Sequence, residues 1–294
     1  MDHRIIAPRK QIFEKRAKTE RVLYAIIFVL FTAIAASYLY VLFWCFMSGT
    51  KTHTEVVLTP FALPEKWHFS HYIEVFDVMN VNGSGFFTMF LNSVYFSVVG
   101  GFLTTMSSMT LAYVTAKYKF RGSGFFFTGS LIMILLPIYG QGGSMYVLLK
   151  NLGFLNSRLM IFSSLGGMGM NYMYFHAFFQ NLSWSYAEAA QLDGASDYGI
   201  FFKVMLPLAL PMFGAIFLMV WLAEWNNYGS ALLYLPQMPT LAVGMYLFRD
   251  DMYQFARTDM LWAGSFLISL PPLILFIFFS NTLMSNISLG GIKE

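Results

Sequence analysis

The chain has 294 residues, 57% of them hydrophobic and only 11% charged, with a mean hydropathy of +0.59. A soluble domain of this size carries about 25% charged residues, so too few ionic groups are present to cover a water-facing surface, and the abundant Phe (32) and Met (20) suit lipid and helix packing. Net charge is a modest +3, and the single cysteine, Cys45, excludes both an internal disulfide and a thiolate metal cluster.

Arg4, Arg9, Lys10, Lys15, Arg16, Lys18 and Arg21 crowd the first segment, 1–21. A basic run can bind nucleic acid; directly before a hydrophobic stretch it is a topology signal, and no nucleic-acid partner is expected. The first apolar stretch is too long for a signal-peptide core and no small-residue cleavage site follows it. A bilayer core of about 30 Å takes roughly 20 apolar residues per helix. Six stretches qualify, at about 22–47, 86–114, 124–149, 160–181, 207–231 and 260–284. Unpaired backbone groups are not tolerated in lipid, and these segments are too long and too irregular for barrel strands, so all six are expected to be helices. The fold class is all-α: a membrane domain over 22–284 and a short tail, 285–294.

Lys and Arg in the connections divide twelve to six in favour of both termini inside. Residues 48–85 and 232–259 then form long outer loops, the first with an amphipathic run at Tyr72–Asp77. Connection 182–206 is cytoplasmic.

Several chemistries lack their signatures. No phosphate-loop motif is present, so no nucleotide is expected on this chain. The five histidines show no H-x-x-x-H or H-E-x-x-H spacing; His68 and His71, three apart, read as a surface pair rather than a metal site. No G-x-S-x-G elbow occurs. Glu224, in Trp221-Leu-Ala-Glu-Trp-Asn-Asn227, is the main ionisable group inside a span, which is thin support for proton coupling.

The cytoplasmic connection has the clearest local physics. Ser185 and Glu188 fit a capping box, Ala187, Ala189 and Ala190 favour a slim helix, and Gly194 suits the left-handed residue that ends one. Ser196 is placed to cap a second helix leading through Phe201 and Phe202 to Pro207 and Pro211, with proline accommodated near a helix start. The expectation is a helix of about two turns, a sharp turn, and the next span. Glu188, Asp193 and Asp197 are available for charge-assisted hydrogen bonds to a partner. On residues alone, a docking element and a well-capped connector both remain open.

The spacing Glu188-Ala189-Ala190, Gly194, Val204, Leu206-Pro207 resembles the EAA signature of ATP-binding-cassette importer permeases, with Val204 where isoleucine is commoner. The resemblance runs from about residue 20 to the end of the chain. Asn92-Ser93-Val94, Ala112-Tyr113, Phe120-Arg-Gly122 and Leu152-Gly-Phe-Leu-Asn156 are similar to the carbohydrate branch, and the layout resembles its smaller maltose-type permease subunit. So are Leu192-Asp-Gly-Ala-Ser196, Leu241-Ala-Val-Gly244 and Gly290-Gly-Ile-Lys293.

The resemblance implies the type I importer permease fold, with six spans and a cytoplasmic helix–turn–helix coupling loop at about 185–207, in a bacterial cytoplasmic membrane. It further implies an ATPase dimer docked on Glu188, Ala189, Ala190, Asp193, Gly194, Leu206 and Pro207, with ATP and Mg on those partners and no cofactor on this chain. A second permease subunit and an extracytoplasmic solute-binding protein complete the assembly; loop 232–259 would enter the binding protein and the tail would reach the ATPase. The chain would be a transport subunit and not an enzyme. A sugar is the leading solute; a peptide or polyamine importer, and more distantly a secondary carrier, are the alternatives. Asn171, Tyr172, Glu224, Trp225, Asn226 and Asn227 supply the hydrogen-bonding and flat apolar groups a sugar needs, and equally serve as interhelical contacts.

Overall fold

A computed structural model of the chain describes residues 7–118, 120–136 and 141–287. The expected tail contact from Gly290–Glu294, and Arg4 of the basic run, lie outside these. The described chain is almost wholly helical, in order α1 (Ala7–Gly49), α2 (His53–Leu58), α3 (Ser70–Val78), the two-residue strands β1 (Asn80–Val81) and β2 (Ser84–Gly85), α4 (Phe86–Tyr95), α5 (Gly101–Lys117), α6 (Ser123–Leu135), α7 (Gln141–Asn151), α8 (Met170–Asn181), α9 (Ser185–Leu192), α10 (Asp197–Ile200), α11 (Leu206–Trp225), α12 (Tyr228–Tyr234), α13 (Leu241–Gln254) and α14 (Thr258–Ile287). Four helical runs are long and apolar enough to cross a bilayer: Glu20–Gly49, Phe86–Lys117, Asp197–Trp225 and Thr258–Phe279.

These four coincide with four of the six expected spans. The other two are not single helices. Expected span 124–149 divides, among the described residues, into the apolar α6 and the separate α7. Expected span 160–181 consists of a 3₁₀ segment, Arg158–Ser164, and the 12-residue α8. Gly167 and Gly169 interrupt it with φ of 68° and 113°, a region L side chains avoid. Residues 232–259, expected to be a loop, contain α13, which Thr240 caps by accepting the Val243 N–H. The surface helix expected near Tyr72–Asp77 is α3. A hairpin follows it, with Asn82 and Gly83 both at positive φ in its tip, as a two-residue turn between twisted strands requires.

The described residues form two packing units. One runs up to Tyr72 and includes Arg257–Phe266. Here Gly49 lets the end of α1 approach the start of α14 closely: a Cβ on Gly49 would sit 2.8 Å from Ala263 Cα and 2.7 Å from Tyr72 Oη. Trp44 meets Trp262 edge-on at 4.6 Å, and Tyr72 donates to the Phe46 carbonyl at 2.6 Å. The buried Lys51 ammonium donates to the Thr59 and Pro60 carbonyls at 2.9 and 3.0 Å. Glu55 receives the Thr52 and Glu65 N–H groups, each at 2.8 Å, and these bonds hold its carboxyl below the usual range.

The second unit holds Ile73–Ala256 and the chain from Leu267 onward. Its core forms where α5 packs against α8 and α11, with Met109, Tyr113, Phe175, Phe179, Ile200 and Met205 buried together. Two π-helical segments interrupt the long helices, Phe96–Gly100 and Phe201–Met205. The second stands directly before Pro207. Proline has no N–H to donate and its ring crowds the carbonyl four residues back, here that of Lys203. A wider turn at that point accommodates it. Pro207 thus stands in the first turn of α11, as the sequence suggested, within a continuous helical run, Asp197–Trp225.

Candidate functional site

The connection between α8 and α11 folds as a helix–turn–helix, with one change to the expected capping. Ser185 and Glu188 form no capping box. Trp184 is already helical (φ −72°, ψ −18°), so Ser185 stands inside the helix rather than at its cap. Ser183 becomes the cap, its Oγ accepting the Ser185 N–H at 3.3 Å, and the position three beyond it is Tyr186, which cannot reach back as a glutamate would. The far end is as the sequence indicates. Gly194 is left-handed at φ 81°, Ala195 N–H bonds the Ala190 carbonyl and Gly194 N–H the Gln191 carbonyl, both at 2.9 Å. This pair of bonds is the Schellman arrangement. Ser196 Oγ then accepts the Gly199 N–H at 3.3 Å and starts α10.

The loop is seated on the bundle by residues that sequence reasoning did not single out. Ala187 is fully buried in the same core as Phe179 and Ile200, and Ala190 packs against it. At the end of α5, Lys117 donates to the Leu182 carbonyl at 2.5 Å and lies over the Trp184 ring at 5.9 Å. Tyr118 donates to Asp197 Oδ1 at 3.2 Å and lies 3.3 Å from the Tyr113 hydroxyl. Burial, reinforced by the Asp197 charge, pushes the Tyr118 phenol above its ordinary value, which keeps it the protonated donor.

With Ala187 turned inward, Glu188, Ala189, Asp193 and Gly194 are exposed, beside Leu192 at 90% and Tyr198 at 80% exposure. An exposed Leu and Tyr on a capped turn, beside the Glu188 and Asp193 carboxylates, give a mixed apolar and charged surface of the kind a partner covers. Leu192 and Tyr198 carry no local pattern that marks them as exposed. Leu206 and Pro207 lie farther on, at the start of α11, where Leu206 packs on the core and Pro207 is exposed.

A second feature lies at the other end of α11. A cavity of about 280 Å³ is lined by Glu224, Asn227, Ser163, Ser164 and Thr240, with Phe96 and Tyr234 among its apolar walls. Asn227 Nδ2 donates to Glu224 Oε2 at 3.3 Å, while Asn227 Oδ1 accepts the Ser230 N–H at 3.1 Å and caps α12. One side chain thus orients the carboxylate and starts the next helix. Of the six residues expected along a solute path, only Glu224 and Asn227 line this cavity. Tyr172 is buried and meets the Thr115 hydroxyl at 2.9 Å. Trp225 is buried, stacked on Trp221 at 5.3 Å. Asn226 is exposed and donates to the Leu222 carbonyl at 2.9 Å, and Asn171 sits half-buried in the first turn of α8. The serines and Thr240 come from segments far apart in the chain, so no spacing announces them.

Four long apolar helices define a multi-pass membrane protein, and its helix–turn–helix connector is seated on the packing of α5, α8 and α11. The chain belongs to the family of binding-protein-dependent transport system inner membrane components, whose model matches residues 108–289. It is 27% identical to the arabinooligosaccharides transport system permease protein AraQ of Bacillus subtilis, over 90% of this chain and 93% of that one. It is 27% identical to the diacetylchitobiose uptake system permease protein NgcG of Streptomyces coelicolor, covering 85% and 82%. With the maltose/maltodextrin transport system permease protein MalG of Photorhabdus laumondii it shares 30% identity, covering 67% and 70%. The fold matches a chain of a bacterial ABC transporter that imports the acidic polysaccharide alginate, with a TM-score of 0.69, 24% identity, and coverage of 90% of this chain and 96% of that one.

Proposed function

We propose that this chain is the permease subunit of an ATP-binding-cassette importer that carries an oligosaccharide or sugar across the membrane. The observation that carries the reading is the exposed, doubly capped turn around Gly194, set on the bundle core by Ala187 and bearing the EAA spacing. Relatives whose names specify arabinooligosaccharides, diacetylchitobiose and maltodextrin support a saccharide as the solute. The cavity at Glu224 supports it too, because hydroxyl, amide and carboxylate groups beside aromatic walls are what a sugar needs.

In this reading an ATPase dimer receives Glu188, Ala189, Leu192, Asp193 and Tyr198, and holds ATP and Mg; the chain itself holds no cofactor. Both termini face the cytoplasm. A second permease chain completes the pathway, and an extracytoplasmic binding protein delivers solute. A related alginate transporter has been solved in complex with its pentasaccharide-bound periplasmic protein, which supports that last partner. Differential binding of the ATPases to two states of the loop shifts the bundle between them. Glu224 and Asn227 face the solute path; Asn171, Tyr172, Trp225 and Asn226 hold the surrounding helices.

The test is reconstitution of the chain with its partner subunits in proteoliposomes and measurement of ATP-dependent uptake over a panel of radiolabelled oligosaccharides, peptides and polyamines. Saccharide uptake that needs both ATP and the binding protein is expected. Uptake confined to peptides or polyamines, or uptake without an ATPase, would overturn the reading.

A further inference from the structure

The cavity beside α11 has an electrostatic property that the saccharide reading does not by itself require. Glu224 is the one charged side chain among its described lining residues; no lysine or arginine lines it. The nearby Arg158 is held over the Tyr95 ring at 5.5 Å and contributes no side chain to the cavity wall. Glu224 Oε2 accepts from Asn227, and no donor among the described residues reaches Oε1. The rest of the polar lining, Ser163, Ser164, Ser230 and Thr240, is uncharged hydroxyl.

A carboxylate only accepts hydrogen bonds, and its two oxygens suit the hydroxyls of a sugar, which donate. A uronate would bring a second carboxylate into the same half-buried space with nothing cationic to offset it. Charge repulsion is poorly screened where water is partly excluded. We propose that Glu224 makes this cavity discriminate against acidic saccharides and in favour of neutral ones, so that the permease, and not only the protein that delivers solute, excludes uronates. This inference rests on the saccharide reading and deepens it. It also separates the chain in specificity from its structural neighbour, which imports an acidic polysaccharide.

The experiment measures binding to the permease complex in nanodiscs without the binding protein, so that delivery cannot mask selection. Ligand-observed NMR suits the weak affinities expected. The probes are neutral arabinotriose and maltotriose, and trigalacturonate as the acidic trisaccharide. At least one neutral probe should bind ten-fold or more tightly than trigalacturonate at pH 7. In Glu224→Gln, which keeps an acceptor and the shape, the gap should narrow to under about three-fold, mainly through tighter trigalacturonate binding. Glu224→Asp, which keeps the charge, should retain the gap, and both variants should co-purify with the partner subunits as the natural chain does. Equal binding of neutral and acidic probes to the natural chain, or an unchanged gap in Glu224→Gln, would overturn the proposal and leave the importer reading intact. Failure of every saccharide both here and in the uptake assay would remove the saccharide reading, and this proposal with it.

Discussion

Replacing Gly194 tests the loop's role most directly, because the structure separates backbone strain from steric clash at that position. A Cβ on Gly194 would meet nothing within 4 Å, so a larger side chain has room. Its φ of 81° is the difficulty: an L residue in the left-handed region costs about 1–2 kcal/mol, and a β-branched one fares worst. Releasing that strain requires giving up the Gly194 and Ala195 N–H bonds that close the turn. A loss of 1–2 kcal/mol depopulates the closed turn roughly 5- to 30-fold. Gly194→Val should therefore insert in the membrane normally, yet retain about a tenth of the ATPase subunit on co-purification and lose uptake in proportion. Gly194→Asn, which tolerates the left-handed region, should stay within about three-fold of the natural chain. If valine and asparagine reduce association equally, side-chain bulk and not backbone conformation is responsible. If neither reduces it, the turn is not a docking element.

Three further outcomes follow from other contacts. Ser196→Ala removes the cap on α10 and should cost about 1 kcal/mol, read as several-fold faster hydrogen exchange at the Gly199 amide; unchanged exchange would mean that the 3.3 Å bond contributes nothing. Glu55 has a depressed pKa, so its stabilisation of the segment between α1 and α3 is complete above the ordinary value of 4.5 and is lost as pH falls through the lowered one. Exchange protection of the Thr52 and Glu65 amides, corrected for intrinsic rates, should hold down to about pH 4.5 and fall below it, and Glu55→Gln should show weak protection at every pH. Gly49→Ala drives a methyl into the α14 backbone at Ala263, where nothing flexible can yield; a loss of about 1–3 kcal/mol is expected in thermal unfolding. Gly124→Ala, whose Cβ meets nothing, serves as the neutral control.

What was legible in the sequence was what local chemistry decides. Gly194 and Ser196 were readable as cap residues because a left-handed turn and an oxygen acceptor are demanded by the backbone itself. The Ser185–Glu188 box fails because Trp184, which lies against Lys117 and Tyr118, is itself helical, so Ser185 stands inside the helix and not at its cap. Hydropathy marks six apolar stretches, four of which are long helical runs; it could not show that 160–181 is broken, because Gly166-Gly-Met-Gly169 reads as apolar while its backbone turns at Gly167 and Gly169. The cavity was legible only in its contiguous part, Glu224 and Asn227. Its hydroxyls arrive from Ser163, Ser164 and Thr240, and that convergence belongs to the tertiary fold.

The loop and the cavity stand at opposite ends of a single helical run of 29 residues, Asp197–Trp225, about 40 Å long at 1.5 Å per residue. The π-helical turn at Phe201–Met205, with Pro207 and Pro211 beyond it, is where such a helix would bend if the loop moved by itself. The packing opposes that bend. Ala187 of the loop, Ile200, Phe201 and Met205 on the irregular turn, and Ala209 and Ile216 below the first proline are buried in one core with Tyr113 of α5 and Phe179 of α8. Bending there would open that core on both sides of the turn. In the proposed importer, a force applied at Leu192 and Tyr198 would be carried by α5, α8 and α11 together, and Glu224, one residue before the end of that run, would travel with them. The turn around Gly194 is thus a corner of the bundle rather than a tether to it, and this is why strain at one exposed glycine is expected to be felt as lost transport.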